Sequence, residues 1–203
     1  RLLSKSITMK KYNSTDLLNE LQADVRALLA KVAELKTEDP GILLQQPAPG
    51  KWSVIQVLEH LNSYGNYYLR ALEKALAQDK PAVEFFKPGW LGNYFTKIMK
   101  PNEKGIVTNK MQTPKGHKPT AKPDAFPTIQ TFCSQQLYLL QLLEQAKEKN
   151  IGKIRVPISL TRFIKMKAGD TFRFFIAHEQ RHFVQIANAL QTIKGRPLVY
   201  SMA

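Results

Sequence analysis

Residues 178–182 read His-Glu-Gln-Arg-His, the H-E-x-x-H pattern. Two histidines four apart on a helix lie on one face and can ligate one metal ion. The glutamate between them could take a proton from water on that ion. The five letters therefore raise the chemistry of a helical zinc peptidase. That chemistry needs a third protein ligand. In the extended pattern, a glycine and a third histidine would fall at positions occupied by Gln185 and Asn188, and no Asp or Glu follows His182. Neither downstream source exists, so the peptidase reading fails and the ligand has to come from upstream.

Two other histidines are available, His60 and His117. His60 sits beside Leu61 and within a turn of Val57 and Tyr64, where an unpaired imidazole would be costly. Alone it would read as a satisfied core residue. Opposite an inward-facing histidine pair, it reads as the third ligand. His117 lies among lysines and prolines, is expected to be solvent-exposed, and is the reserve ligand. At about 100° per residue, His178, His182, Gln185 and Ala189 fall within roughly 60° of one another, with Glu179 and Arg181 on opposite flanks. Glu179 is a candidate catalytic helper, with a solvated or ion-paired side chain as the alternative.

Four segments with helical hydrophobic spacing must position these groups. The first follows the capping run Asn13 to Asp16, carries Leu17, Leu18, Leu21, Val25, Leu28, Leu29, Val32 and Leu35, and should stop before an Asp39-Pro40-Gly41 turn. The second opens on the capping box Ser53 to Gln56 and bears Val57, Leu58, Leu61, Tyr64, Tyr68 and Leu72. A third begins near Phe126-Pro127 and continues through Ile129, Phe132, Gln136, Leu137, Leu140 and Leu143. The fourth runs from Gly169-Asp170-Thr171 to Gly195, a good terminating residue before Arg196-Pro197. This is an all-α chain, a four-helix bundle with a long crossover between helices two and three that lets those helices run parallel. A short helix is expected near Leu91 to Met99. Residues 100–125 hold six lysines and four prolines and read as a mobile basic loop, a solvated crossover before an anion or nucleic-acid site. Residues 151–166 read as irregular, with a short strand or helical turn.

The chain has 203 residues, 43% of them hydrophobic, which suits one domain spanning residues 13–203. Residues 1–12 lack acids and read as a disordered leader or remnant, with Met9 a possible initiator. A net charge of +14 favours anionic partners, but 22 of the 30 cations are lysine, which weakens a base-reading role that prefers arginine. The single cysteine, Cys133, excludes an intrachain disulfide and is expected to be buried and inert. No apolar stretch is long enough for a membrane span, and a cytoplasmic location is expected.

The segments "KWSVIQVLEHL" and "HEQRHFVQIANAL" together resemble the DinB-like (DinB/YfiT) family of metalloenzymes. Trp52-Ser53 and His60-Leu61 match the opening of its second helix, and His178, His182 and Gln185-Ile186 match its last. The resemblance covers most of the chain. It implies a four-helix bundle, often dimeric, of bacterial type, with His60, His178 and His182 holding one divalent metal, zinc or nickel. It further implies activation of a small-molecule thiol, or of water, for attack on an electrophile, in the manner of a thiol S-transferase or a hydrolase. Trp52, Tyr64 and Gln185 are the candidates for shaping the cofactor pocket, with Tyr67 and Tyr68 nearby. A non-catalytic metal-binding protein, or a nucleic-acid or stress-associated interaction protein, is the alternative.

Overall fold

The computed structural model describes residues 10–102, 107 and 111–195. Met9 and Arg196-Pro197 lie outside them. Four long helices dominate: α1 (Ser14–Leu35), α3 (Val54–Leu76), α5 (Ala125–Ala146) and α6 (Ala168–Ile193), with the short α2 (Pro40–Leu44) and α4 (Trp90–Met99) between. The caps follow from the sequence. Asn13 Oδ1 accepts from the N–H groups of Thr15 and Asp16 at 3.0 and 3.1 Å, and Ser53 and Gln56 close a reciprocal capping box on α3. Gly195, at φ 65°, ends α6 in the left-handed conformation that glycine adopts without strain.

Pair contacts give the helix directions. Asn62 donates to the Thr128 carbonyl at 2.9 Å, and Gln135 donates to Asn66 Oδ1 at 3.0 Å, so α3 and α5 run the same way. His60 faces His182 while Tyr68 faces Phe175, so α3 and α6 are antiparallel. Arg173 reaches Tyr12 at one end and Lys194 meets Glu38 at the other, so α1 and α6 are parallel. Two successive long helices with one direction require the chain to return along the bundle between them, and Thr120, held by Gln56 and Glu59 at the start of α3, marks the far end of that return.

Three local expectations need correction. The turn after α1 is the helix α2, because Asp39 Oδ1 accepts from the Gly41 N–H and Pro40 suits a first turn. The irregular segment is an antiparallel hairpin of β3 (Arg155–Ile158) and β4 (Thr161–Lys167), bulged between Pro157 and Ile158. Tyr12 is not part of a disordered leader, since β1 (Tyr12–Asn13) pairs with β2 (Phe85–Phe86). On α5, Leu139 and Leu142 are buried while Leu137 is 56% exposed, because the helix turns its inner arc toward α1 and α3 together. Cys133 is half-buried rather than sealed. Among the described residues, no helix is long and apolar enough to cross a membrane.

The apolar interior divides into two clusters. One gathers Leu21, Tyr68, Leu139, Phe172 and Phe175, the other Leu28, Leu58, Phe132 and Phe183. On each long helix the division falls at the same level, and on three of them that level carries buried polar side chains: His60 on α3, Gln136 on α5, and His178 and Glu179 on α6. A fully buried leucine or phenylalanine contributes about 1.5–3 kcal/mol, so the clusters above and below can support a polar layer that costs stability by itself.

Candidate metal centre

α3 and α6 cross at this layer. His60 is 2% and His178 4% exposed, and His182 lies one turn further along α6. His60 Nε2 is 3.2 Å from His182 Nε2, which is 3.2 Å from His178 Nε2. The three ligand nitrogens lie within 4.8 Å of one another.

The protons are placed by partners on the far side of two rings. His60 Nδ1 is 2.7 Å from the His117 carbonyl oxygen, which can only accept, so Nδ1 carries the proton and Nε2 a lone pair. His182 Nδ1 likewise donates to Gln185 Oε1 at 2.8 Å, leaving a lone pair on its Nε2. Burial pushes His60 down to about 4 and His182 to about 3, and holds His178 well below the ordinary imidazole range, so all three rings are neutral near pH 7.

Two lone pairs facing each other at 3.2 Å repel, and no proton remains to join them. A cation between them removes the conflict. Ligands about 2.0–2.1 Å from a zinc-sized ion stand roughly 3.3 Å apart at tetrahedral angles, close to the spacing seen. The donor set therefore fits a divalent metal held by His60, His178 and His182. Three neutral imidazoles would be an incomplete ligand set for such an ion, the donor count of a catalytic rather than a closed structural site.

The surroundings sort the remaining candidates. Trp52 lies 5.1 Å from the His60 ring, and Tyr64 lies 4.5 Å from His178, so both line the site. Gln185 orients His182. His117 is not solvent-exposed and supplies no ligand nitrogen to the cluster: its ring stacks on Tyr64 at 3.8 Å and its Nδ1 meets Ser63 Oγ at 2.9 Å. The crossover is correspondingly not a free basic loop where it is described. Thr120 donates to Glu59, Gln56 Nε2 donates to the Thr120 carbonyl at 3.0 Å, and Gln112, Thr113 and Pro114 cover the site. Glu59 and Gln56 on α3 are the anchors that hold it there.

Glu179 is neither solvated nor ion-paired. It is 1% exposed, points across the bundle to α5 and accepts from Gln136 Nε2 at 2.6 Å. Burial raises its carboxyl to about 8, against the Gln136 hydrogen bond. It is absent from the walls of the cavity beside the histidines. The physical reason is the width of α6's buried arc: the helix packs on α3 and α4 and faces α5, so the Glu179 flank of the histidine stripe is interior and the Arg181 flank is half-covered by α4.

That cavity measures about 460 Å³. The histidines and Trp52 form one end, Phe95 and Met99 of α4 and Phe174 of α6 form a wall, and Ile158, Leu160 and Met166 of the hairpin close another side. Spacing alone assigns no role to Gln136, to these walls or to Arg181. A glutamine inside an apolar stripe is the one sequence signal for the Gln136–Glu179 pair.

The family model described as the DinB superfamily matches residues 17–186. Among solved structures, a match covers 91% of this chain and 87% of the other at 14% identity and a TM-score of 0.50; that structure is described as "YfiT from Bacillus subtilis is a probable metal-dependent hydrolase with an unusual four-helix bundle topology". No curated protein matches. The match extends over most of both chains and shows a shared four-helix-bundle fold.

Proposed function

We propose that this chain, which belongs to the DinB superfamily, is a metal-dependent hydrolase of a small molecule bound in the cavity beside His60, His178 and His182. The observation that carries the reading is the convergence of three imidazole nitrogens, two with their lone pairs fixed inward, at the end of a largely apolar cavity. The description of YfiT from Bacillus subtilis as a probable metal-dependent hydrolase supports the reaction class. Held by His60, His178 and His182, a divalent ion would supply Lewis acidity at this end of the cavity.

The chain's own residues supply orientation and exclusion of water. The His117 carbonyl and Gln185 fix the His60 and His182 rings, which keeps their nitrogens aimed at one point without reorganisation. Tyr64 fills the space between His117 and His178, and burial pushes its phenol up to about 12, so it keeps its proton throughout the working range. No described wall residue is a carboxylate, so no side chain is assigned as general base. The same site would accept a low-molecular-weight thiol in place of water, since a metal's charge favours thiolate as it does hydroxide.

The test is to load the purified protein with zinc, nickel or manganese, measure bound metal, and offer aryl and alkyl esters and amides with and without an added thiol. Metal-dependent hydrolysis without thiol supports the reading. Turnover only with thiol moves the chain to thiol transfer, and absence of bound metal overturns both.

A further inference from the structure

The cavity has a charge character that the metal ligands do not explain. Its only charged described walls are Lys51 and Arg181, both cationic. Arg181 is half-buried on α6, one residue from His182, with Nη1 on the Ile98 carbonyl at 3.4 Å. Lys51, an exposed residue, precedes Trp52 in the lining. The rest of the enclosure is aromatic and aliphatic: Tyr68, Phe95, Met99, Phe174, Ile158 and Met166. Neutral imidazoles add no negative charge to this end.

From this arrangement we infer that the cavity takes an amphiphilic anion, with an apolar chain or ring lying against Phe95, Met99 and Phe174 and a carboxylate, sulfonate or phosphate group facing Lys51 and Arg181. The inference names the substrate class for the hydrolase site proposed above and rests on that reading for the reaction. A cavity of 460 Å³ is in the range that encloses one drug-sized molecule. A cationic ligand of equal size would bring a third positive charge into an enclosure of low polarity, with no carboxylate among the described walls to receive it, while an anion gains from both. The arginine fork suits an oxyanion and the flexible lysine supplements it as a point charge.

The experiment uses the full chain freed of metal by chelator, so that attraction of anions to a metal plays no part. Displacement of the fluorescent aryl sulfonate 1-anilinonaphthalene-8-sulfonate is followed with decanoate, decanol and decyltrimethylammonium, all below their micelle concentrations. Decanoate should displace the probe at concentrations at least tenfold lower than decyltrimethylammonium, with decanol between. In Arg181→Gln and Lys51→Gln that gap should shrink toward threefold while decanol is unaffected, and Lys31→Gln, far from the cavity, should leave it unchanged. Thr113→Trp, which adds bulk to the lining, should weaken all three ligands without lowering the melting temperature.

Equal displacement by the cation, or a gap untouched in both cavity variants but reduced by Lys31→Gln, overturns the inference and assigns the preference to the net charge of the chain. Failure here is separate from failure of the hydrolase reading. A chain that binds metal and cleaves neutral and anionic substrates alike keeps the reaction and loses the substrate class. One that binds decanoate and never loads metal does the reverse.

Discussion

His60 Nε2 and His182 Nε2 stand 3.2 Å apart, each an acceptor because the single proton of its neutral ring sits on Nδ1, held in a hydrogen bond on the far side. This is a preorganised binding geometry with a cost in the empty state. The protein should therefore bind one divalent ion per chain and melt higher with it. At a free metal concentration one hundred times Kd the gain is about 2.7 kcal/mol, or roughly 5–10 °C for a domain of this size. Elemental analysis and thermal melts of His60→Ala, His178→Ala and His182→Ala check it: each should lose the ion and the shift. Unchanged metal content in all three would remove the site.

The Gln185 contact makes a separate prediction. Because Gln185 Oε1 accepts the His182 Nδ1 proton at 2.8 Å, Gln185→Leu frees that ring to take the other tautomer. Metal affinity should fall about 10- to 100-fold while the saturated count stays at one ion. Competition against a chelator of known affinity measures it. An unchanged affinity would show that packing alone orients His182.

Acid should destabilise the metal-free protein through these rings. Their folded pKa values are depressed, to about 4 for His60 and about 3 for His182, below the ordinary 6.5, because burial disfavours the charged form. The unfolded chain therefore binds protons first. The stability these groups confer is complete above pH 6.5 and is lost as pH falls from there toward 4 and 3. Urea unfolding from about pH 8 to about pH 4 should show the decline, and His60→Ala should reduce its slope. An equal slope would assign acid lability to other groups.

Gly92 tests how α4 is held to the site. A Cβ there would lie 2.3 Å from Asp170 Cβ, and Asp170 is itself fixed by the Gly89 N–H at 2.7 Å and by Arg173. The clash is with the root of a buried side chain, so the helices have to separate. Gly92→Ala should cost about 1–3 kcal/mol by overpacking. Because α4 carries Phe95 and Met99, probe binding in the cavity should weaken too. Gly116→Ala, with nothing within 4 Å, should do neither. Equal stability of the two variants would contradict the close packing of α4 on α6.

The long helices are legible in the sequence because each repeats its apolar residues with one period over about 20 residues, and the histidine trio because its spacing on two inward faces leaves few alternatives. The crossover departs from its sequence reading for an identifiable reason. Its lysines and prolines describe its solvent side, whereas its anchoring depends on the Gln56 and Glu59 side chains of a helix over sixty residues earlier, which no local composition records. The hairpin is indistinct because β3 and β4 are short and bulged, so strict alternation never develops. Arg181 and Glu179 do lie on the flanks of the histidine face, but a single helix wheel cannot say that the bundle seals the Glu179 flank and leaves the Arg181 flank half-buried.

Glu179 is where that limit has the sharpest consequence. The H-E-x-x-H letters offer it as a base, while the structure points it away from the cavity at Gln136, with Glu179 Oε2 and Gln136 Oε1 both without a partner. Glu179→Gln keeps the acceptor for Gln136 Nε2 and adds an amide donor to a layer short of donors. The sign with pH follows from the raised carboxyl. Between 4.5 and about 8 the folded chain keeps a proton that the unfolded chain has lost, so wild-type stability falls as pH rises through that window. The glutamine variant has no such proton, and in metal-free protein its advantage should grow across the window to about 3 kcal/mol at about pH 7. Metal binding should be retained, and so should hydrolysis, because the side chain does not reach the cavity. Urea unfolding at about pH 5 and about pH 8 reads the first claim and turnover of the metal-loaded variant the second. Loss of turnover with metal and stability intact would return Glu179 to the catalytic role that the five letters first suggest.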